Sequence, residues 1–233
     1  KCRHRRKELK LPKKESSKPL IGELELREKF ENEVVRQRYL SAMELVLARL
    51  SLINADLTEK NKRPIVRALS SRLKTTDSMI KKLIRKEREV SFASAVKSLN
   101  DIAGVRVVCY FCDDVEQIAD ALRKQEDITI VKEKNYIKKP KKSGYQSLHL
   151  IVEIPLVYLN RKDTVRVEIQ IRSFAMDYWA ELDTQMCYKK SAGRIEQVER
   201  EIRNYSAVIA KVDNQMLELR KKIEKATGTP EVR

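Results

Sequence analysis

An α/β fold is predicted from three features of the sequence. In the middle of the chain, short apolar runs alternate with helical periodicity, as in strands connected through helices. Longer helical patterns flank that middle on both sides. The 233 residues are 42% apolar, enough to bury a core of their own without disulfides or a structural metal.

The elements follow in order. Residues 1–18 carry nine Lys or Arg against two acids, with Pro12 inside and Pro19 just after, and read as a solvated basic arm. Helical spacing of Phe30, Val34, Leu40, Leu47 and Leu50 runs from about 20 to 57, and Pro64 ends that region. A strand-like segment at 65–74 leads into a helix over 76–89, with Thr75 or Thr76 as cap and Asp77 in its first turn. Strands are predicted at 103–111, 128–135, 145–154 and 164–172, helices at 115–124 and 174–190, and Gly193 breaks the last of these. The domain reading is thus a basic flexible arm (1–19), an N-terminal helical region (20–64), a central domain (65–192) and a C-terminal helix with its tail (193–233).

That last helix has the cleanest periodicity in the chain. Ile195, Val198, Ile202, Tyr205, Ile209, Val212, Met216, Leu219 and Ile223 alternate spacings of three and four, an unbroken a/d heptad. So narrow a stripe suits a helical partner, either the chain's own N-terminal helix or a second subunit.

Composition narrows the chemistry. With 50 Lys plus Arg against 34 Asp plus Glu, the chain carries +16 and suits a polyanionic ligand. Five Gly and the absence of GxGxxG or Walker spacing exclude a glycine-rich phosphate loop. Two His, His4 and His149, cannot build a His-rich metal site. Cys109 and Cys112 form a CxxC, but a strand sends residues three apart to opposite faces, so they read as reduced thiols with Cys2 and Cys187. The apolar stretch at 148–159 is interrupted by Glu153 and Pro155 and is too short to cross a bilayer. A cytoplasmic protein with no membrane partner is expected.

Four groups of residues can do chemistry. On the strand 164–172, Val165, Val167, Ile169 and Ile171 make an apolar face, and Arg166, Glu168, Gln170 and Arg172 a polar one. Asp101 stands at the start of the strand 103–111, with Arg106 further along. Two carboxylates on separate strands are the usual way to hold Mg²⁺ for phosphate transfer. Arg72 and Lys74 share a strand face, and Ser78, Lys82 and Arg85 share a helix face at i, i+4 and i+7, a ready anion site. Finally, the basic loop 138–143 runs into Gly144, Tyr145, Ser147 and His149, with an aromatic ring able to stack on a base.

Taken together, R72-x-K74, D101-I-A-G-V-R106, K141-x-S-G-Y145-x-S-L-H149, V167-E-I-Q-I-R172 and A175-M-D-Y-W-A180 resemble the synthetase domain of the RelA/SpoT homologues. With no hydrolase or regulatory domain in the sequence, the resemblance is to the small alarmone synthetases. It covers roughly 65–190, and five motifs in the right order are far more specific than any one alone.

The resemblance implies a nucleotidyltransferase-like mixed β-sheet flanked by helices. It also implies GTP pyrophosphokinase activity: transfer of the β,γ-pyrophosphate of ATP to the ribose 3′-hydroxyl of GDP or GTP, yielding (p)ppGpp. By position, Arg72, Lys74, Ser78, Lys82, Arg85 and Arg106 would bind ATP, and Asp101 and Glu168 would be catalytic and hold Mg²⁺. Tyr145 would stack on the acceptor guanine, with Lys134, Lys141, His149 and Gln170 around its ribose and phosphates. One stretch departs from the pattern: Thr184 stands where the family commonly has His, and Cys187 where some members have Asn. That departure and the charge leave an alternative, a toxin-type relative that pyrophosphorylates the 3′ end of tRNA, and keep RNA among the possible partners. The resemblance further implies a homo-oligomer, with a tetramer favoured, built through the terminal helices.

Overall fold

The computed structural model describes residues 21–188 and 196–227, so the basic arm, His4 and Cys2 lie outside the described residues. Helices α1 (Ile21–Glu31) and α2 (Glu33–Asn61) precede β1 (Val66–Leu73), α3 (Thr76–Arg85) and α4 (Phe92–Ser98). Next come β2 (Ala103–Cys109), α5 (Cys112–Arg123), β3 (Thr129–Asn135), β4 (Leu148–Tyr158) and β5 (Arg161–Ser173). Two helices, α6 (Phe174–Tyr188) and α7 (Glu196–Thr227), close the chain.

The sheet has the order β1-β2-β5-β4-β3, and only β2 and β5 are parallel. Val105, Val107 and Cys109 of β2, Leu148, Leu150 and Val152 of β4, and Val167, Ile169 and Ile171 of β5 enter one core with α2 and α5. The alternation read on the strand 164–172 is therefore real: its apolar set faces that core, and Glu168, Gln170 and Arg172 face the other side. Cys109 lies in the core and burial pushes its thiol up; Cys112 is pushed up to about 11, so neither is a reactive thiolate.

Several elements differ from expectation. The N-terminal helical stretch is two helices, because the Asn32 side chain accepts from the amides of Val34 (3.1 Å) and Val35 (3.3 Å) and starts a new helix there. Thr75 is the cap of α3, but that helix stops at Arg85, short of 89, where Glu87 turns left-handed. Helix α4 has no counterpart in the sequence reading; its seven residues are too few to show a period. Strand β4 begins at Leu148, so Tyr145 and Ser147 belong to the preceding loop rather than to the strand. Strands β4 and β5 also run further than expected, meeting at a tight turn with Leu159 at φ 48°.

The heptad is divided by the fold. Helix α7 packs on α5 and α6. It turns inward Ile202, Ser206, Asp213 and Leu217, while Tyr205, Val212, Met216, Leu219 and Ile223 remain 45–64% exposed. Polar groups decide this rotation, because each inward polar residue finds a partner. Asp213 accepts from Ser173 Oγ at 2.5 Å, and the Arg220 guanidinium meets Asp113 at 2.7 Å.

Asp114 anchors the junction of α2, α5 and α7. It is 0% exposed and bonded by Arg63 at 2.6 and 3.0 Å and by the Phe111 amide at 3.2 Å. Asp114→Ala takes from Arg63 its two short bonds and leaves it the longer pair to Glu224 at 3.4 Å. It is expected to cost about 2–4 kcal/mol, toward the lower end because Arg63 keeps some solvent, as read from urea unfolding. A cost within experimental error would show that Arg63 finds another partner there.

Candidate active site

The polar face of the sheet is assembled by register. One row of paired residues runs Ser70, Arg106, Gln170, His149, Lys134 across all five strands. The adjacent row holds Arg72, Gly104 and Glu168. Paired residues point to the same side of a sheet, so side chains distant in sequence share one surface. Gly104 contributes no side chain between Arg72 and Glu168, which leaves that surface open at its middle.

Asp101 precedes β2 and receives two ammonium groups on one oxygen, Lys82 at 2.6 Å and Lys74 at 3.1 Å. Burial works against its ionisation, but the Lys82 hydrogen bond and the charges of Lys74 and Lys82 outweigh it. The carboxyl is held below its ordinary value. Its other oxygen, Oδ1, is buried and has no hydrogen-bond partner among the described residues. An ionised, buried carboxylate oxygen without a donor is what a hard cation would complete.

Glu168 is the second carboxylate; it is buried, and it feels the charge of Asp101. Burial again opposes ionisation, but the hydrogen bonds from His149 and Gln170 keep its carboxyl below the usual range. His149 Nδ1 lies 3.2 Å from Oε1, and Gln170 Nε2 donates to Oε2 at 2.8 Å.

Around Glu168 the hydrogen bonds close into a ring with one direction. Arg172 can only donate, and it donates to Tyr145 Oη (2.7 Å) and to Gln170 Oε1 (2.9 Å). Glu168, ionised, can only accept, so His149 carries a proton on Nδ1; with the ring neutral, Nε2 then accepts from Tyr145 Oη at 2.8 Å. Both arms run from Arg172 to Glu168. Arg172 is only 4% exposed and is itself pinned by Asp177 at 3.0 Å. Neither Arg172 nor Asp177 was assigned a role from sequence. Arg172 stood on the polar strand face, but nothing local distinguished it from Arg166.

The loop side is aromatic and cationic. Tyr136, Tyr145 and His149 meet edge to face at centroid distances of 5.2–6.0 Å. Tyr136 had no signal of its own in the sequence. Lys141 Nζ sits 4.3 Å from the Tyr145 ring centre, and its ammonium is pushed down, first by burial and then by Lys134, Arg172 and Lys82. A base stacked on Tyr145 must share the ring with Lys141, whose long stem can give way, whereas Arg172 is locked.

The remaining candidates divide. Arg106 is drawn to α6, with Glu181 at 2.7 Å and Asp177 at 3.5 Å. Ser78 and Arg85 share the exposed face of α3 with Lys82, but only Lys82 reaches Asp101, and the Ser78 hydroxyl is bonded to Thr75 at 2.8 Å. Thr184 donates back to the Ala180 carbonyl at 2.8 Å within its own helix; the Cys187 side chain lies outside the described residues.

Comparison with known proteins agrees with this geometry. The family described as the region found in RelA/SpoT proteins matches residues 71–193. The chain is 34% identical over 197 residues to the GTP pyrophosphokinase YwaC of Bacillus subtilis, covering 84% of this chain and 93% of that one. To YjbM of the same organism, also a GTP pyrophosphokinase, it is 31% identical, covering 81% and 88%. Among solved structures, small alarmone synthetase 1 from Bacillus subtilis bound to its product pppGpp aligns with a TM-score of 0.73 at 31% identity, over 80% of this chain and 94% of that one. Small alarmone synthetase 2 of that organism aligns at 0.71 and 34%, over 80% and 96%. A family match across more than half the chain, and relatives aligned along nearly their whole length, mean that the chain belongs to the RelA/SpoT family, as one of its small alarmone synthetases.

Proposed function

We propose that the chain transfers the β,γ-pyrophosphate of ATP to the ribose 3′-hydroxyl of GDP or GTP, forming (p)ppGpp. The observation that carries this reading is the pair of carboxylates held below their ordinary pKa, Glu168 buried and Asp101 half-buried, between a lysine cluster on one side and an aromatic, cationic loop on the other. The tRNA-directed alternative is not favoured. The relatives are named GTP pyrophosphokinases, and one solved neighbour carries pppGpp.

In this reading Lys74, Lys82, Arg72, Ser78, Arg85 and Arg106 receive ATP. Asp101 and Glu168 are the residues that would hold Mg²⁺, which when bound offsets phosphate charge and orients the chain of phosphates. Tyr145 stacks on the acceptor guanine, while Lys134, Lys141, His149 and Gln170 meet its ribose and phosphates. Glu168 lies beside the acceptor hydroxyl and takes its proton. A depressed carboxyl is a weak base, but a loose transition state asks little of the base, and positioning with charge matching supplies most of the rate. No helix among the described residues is long and apolar enough to cross a membrane, and nucleotide substrates suit a cytoplasmic enzyme. The exposed stripe Tyr205, Val212, Met216 and Leu219 is the surface through which a homo-oligomer, a tetramer in the family pattern, would form.

Three outcomes are expected. Asp101→Asn and Glu168→Gln lower Mg²⁺-dependent pyrophosphate transfer by more than about 100-fold with the fold retained by circular dichroism. Retention of more than about a tenth of the rate, a loss of only ~1.4 kcal/mol, would remove the carboxylates from the reaction. Tyr145→Ala raises the KM for GDP or GTP and leaves ATP binding by calorimetry intact, because the Tyr145 bonds run to His149 and Arg172 and not to Asp101, Lys74 or Lys82; equal loss of ATP affinity contradicts that division. Val212→Asp lowers the particle mass by light scattering without loss of helix, and a wild-type mass near 27.2 kDa refutes the assembly.

A further inference from the structure

Gly144 is the one described glycine with positive φ, at 87°, and it lies in the loop just before Tyr145. The loop turns tightly there: the Gly144 amide donates to the Lys141 carbonyl at 2.8 Å, and the Lys141 amide to the Tyr145 carbonyl at 3.1 Å. That turn accounts for the backbone conformation, but not for what presses against it. A Cβ at Gly144 would stand 2.6 Å from Ser206 Cβ and 2.7 Å from Ser206 Oγ, on a helix 62 residues further along the chain. Only a residue without a side chain admits so close an approach.

The contact is also a hydrogen bond. Ser206 Oγ donates to the Gly144 carbonyl at 2.6 Å, and Ser206 is a buried residue in the middle of α7. Below it, Trp179, Ala180 and Ile202 form a small apolar cluster against which Tyr145, Val198 and Ile209 pack. The space left between the loop, α6 and α7 amounts to about 10 Å³, room for one water at most. Two turns along α7, on the same face, Asp213 accepts from Ser173, the residue after Arg172. Helix α7 therefore grips both structures that hold Tyr145: the loop on which it sits and the strand end from which Arg172 reaches its hydroxyl.

We infer that α7 is a clamp on the acceptor side of the site, and that Ser206 is a positioning residue which holds Gly144 and so sets the Tyr145 ring for the acceptor base. The inference rests on the proposed function for its enzymatic readout, but not for its structural one. Nothing on α7 contacts Asp101, Lys74 or Lys82 through these bonds, so the clamp acts on one substrate and not the other.

Ser206→Ala tests it. Alanine is the best helix former, so α7 persists while the Gly144 carbonyl loses its donor. Two measurements are made on the full chain. In steady-state kinetics the acceptor KM is expected to rise about five- to tenfold, the worth of one such hydrogen bond, with the ATP KM unmoved. In hydrogen exchange the Gly144 and Lys141 amides are expected to exchange faster by a similar factor, because the turn they close opens more often. A general loss of packing would shift both KM values together; that result, or no change in either, overturns the clamp. A double-mutant cycle guards the conclusion: Gly144→Ala should harm acceptor binding more in the wild type than beside Ser206→Gly, since φ strain is common to both and only the collision differs. Equal penalties would mean that the two residues do not touch. If the wild type moves no pyrophosphate to GDP or GTP, the enzymatic reading falls. The exchange rates then decide the clamp alone, and unchanged protection in Ser206→Ala refutes it.

Discussion

The parallel pairing of β2 with β5 is the constraint on which the site depends. It sets Gly104 opposite Glu168 and Arg106 opposite Gln170, and thereby brings Asp101, at the start of one strand, near Glu168 in the middle of the other. Two carboxylates in one low-dielectric site repel each other, and each also loses hydration. Both stay ionised only because other charges and dipoles are supplied: Lys74 and Lys82 at Asp101, His149 and Gln170 at Glu168. The lysines come from the residue just after β1 and from α3, the imidazole from β4, and the amide from β5 itself. Shifting β5 by one residue would send Glu168 into the core and leave His149 without its carboxylate.

From that pairing the rest of the polar face acquires its order. A guanidinium at Arg172 can point its donors in only a few ways, and Asp177 leaves it one. The orientation then propagates outward through Tyr145 and Gln170 and returns to Glu168. Such a ring costs little reorganisation when a substrate arrives, because each proton already has its place. The loop that carries Tyr145 is likewise braced from behind by α6 and α7 rather than left to solvent. In the proposed role of Tyr145, a ring that wandered by an ångström would lose much of its value in orienting an acceptor.

Helix α7 serves two surfaces with one sequence. Its inward face is chosen by buried hydrogen bonds to Gly144, Ser173 and Asp113, which lose more if left unsatisfied than an apolar contact gains. The apolar residues of the heptad that this rotation displaces are left on the outside, beside Tyr110, Phe174 and Tyr178.

Much of this was legible in the residues themselves. The α/β class, the alternating faces of the 164–172 strand, the Thr75 cap and the five motifs that point to the family are all local patterns, and a period of two or of 3.6 needs no tertiary information. The split at Asn32, the short α4 and the early end of α3 were hidden, because single caps and seven-residue helices carry too little periodicity. Arg172, Asp177 and Ser206 were hidden for a different reason. Arg172 sits among several charges on a polar strand face, and Ser206 among polar residues on an exposed-looking stretch of heptad. Their importance comes from what lies 27 and 62 residues away, at Tyr145 and Gly144. Local pattern was enough for the long elements and for the chemistry that their side chains can do. Which carboxylates share a site and which face of the last helix turns inward came from the three-dimensional arrangement, because both depend on partners that register and packing bring together.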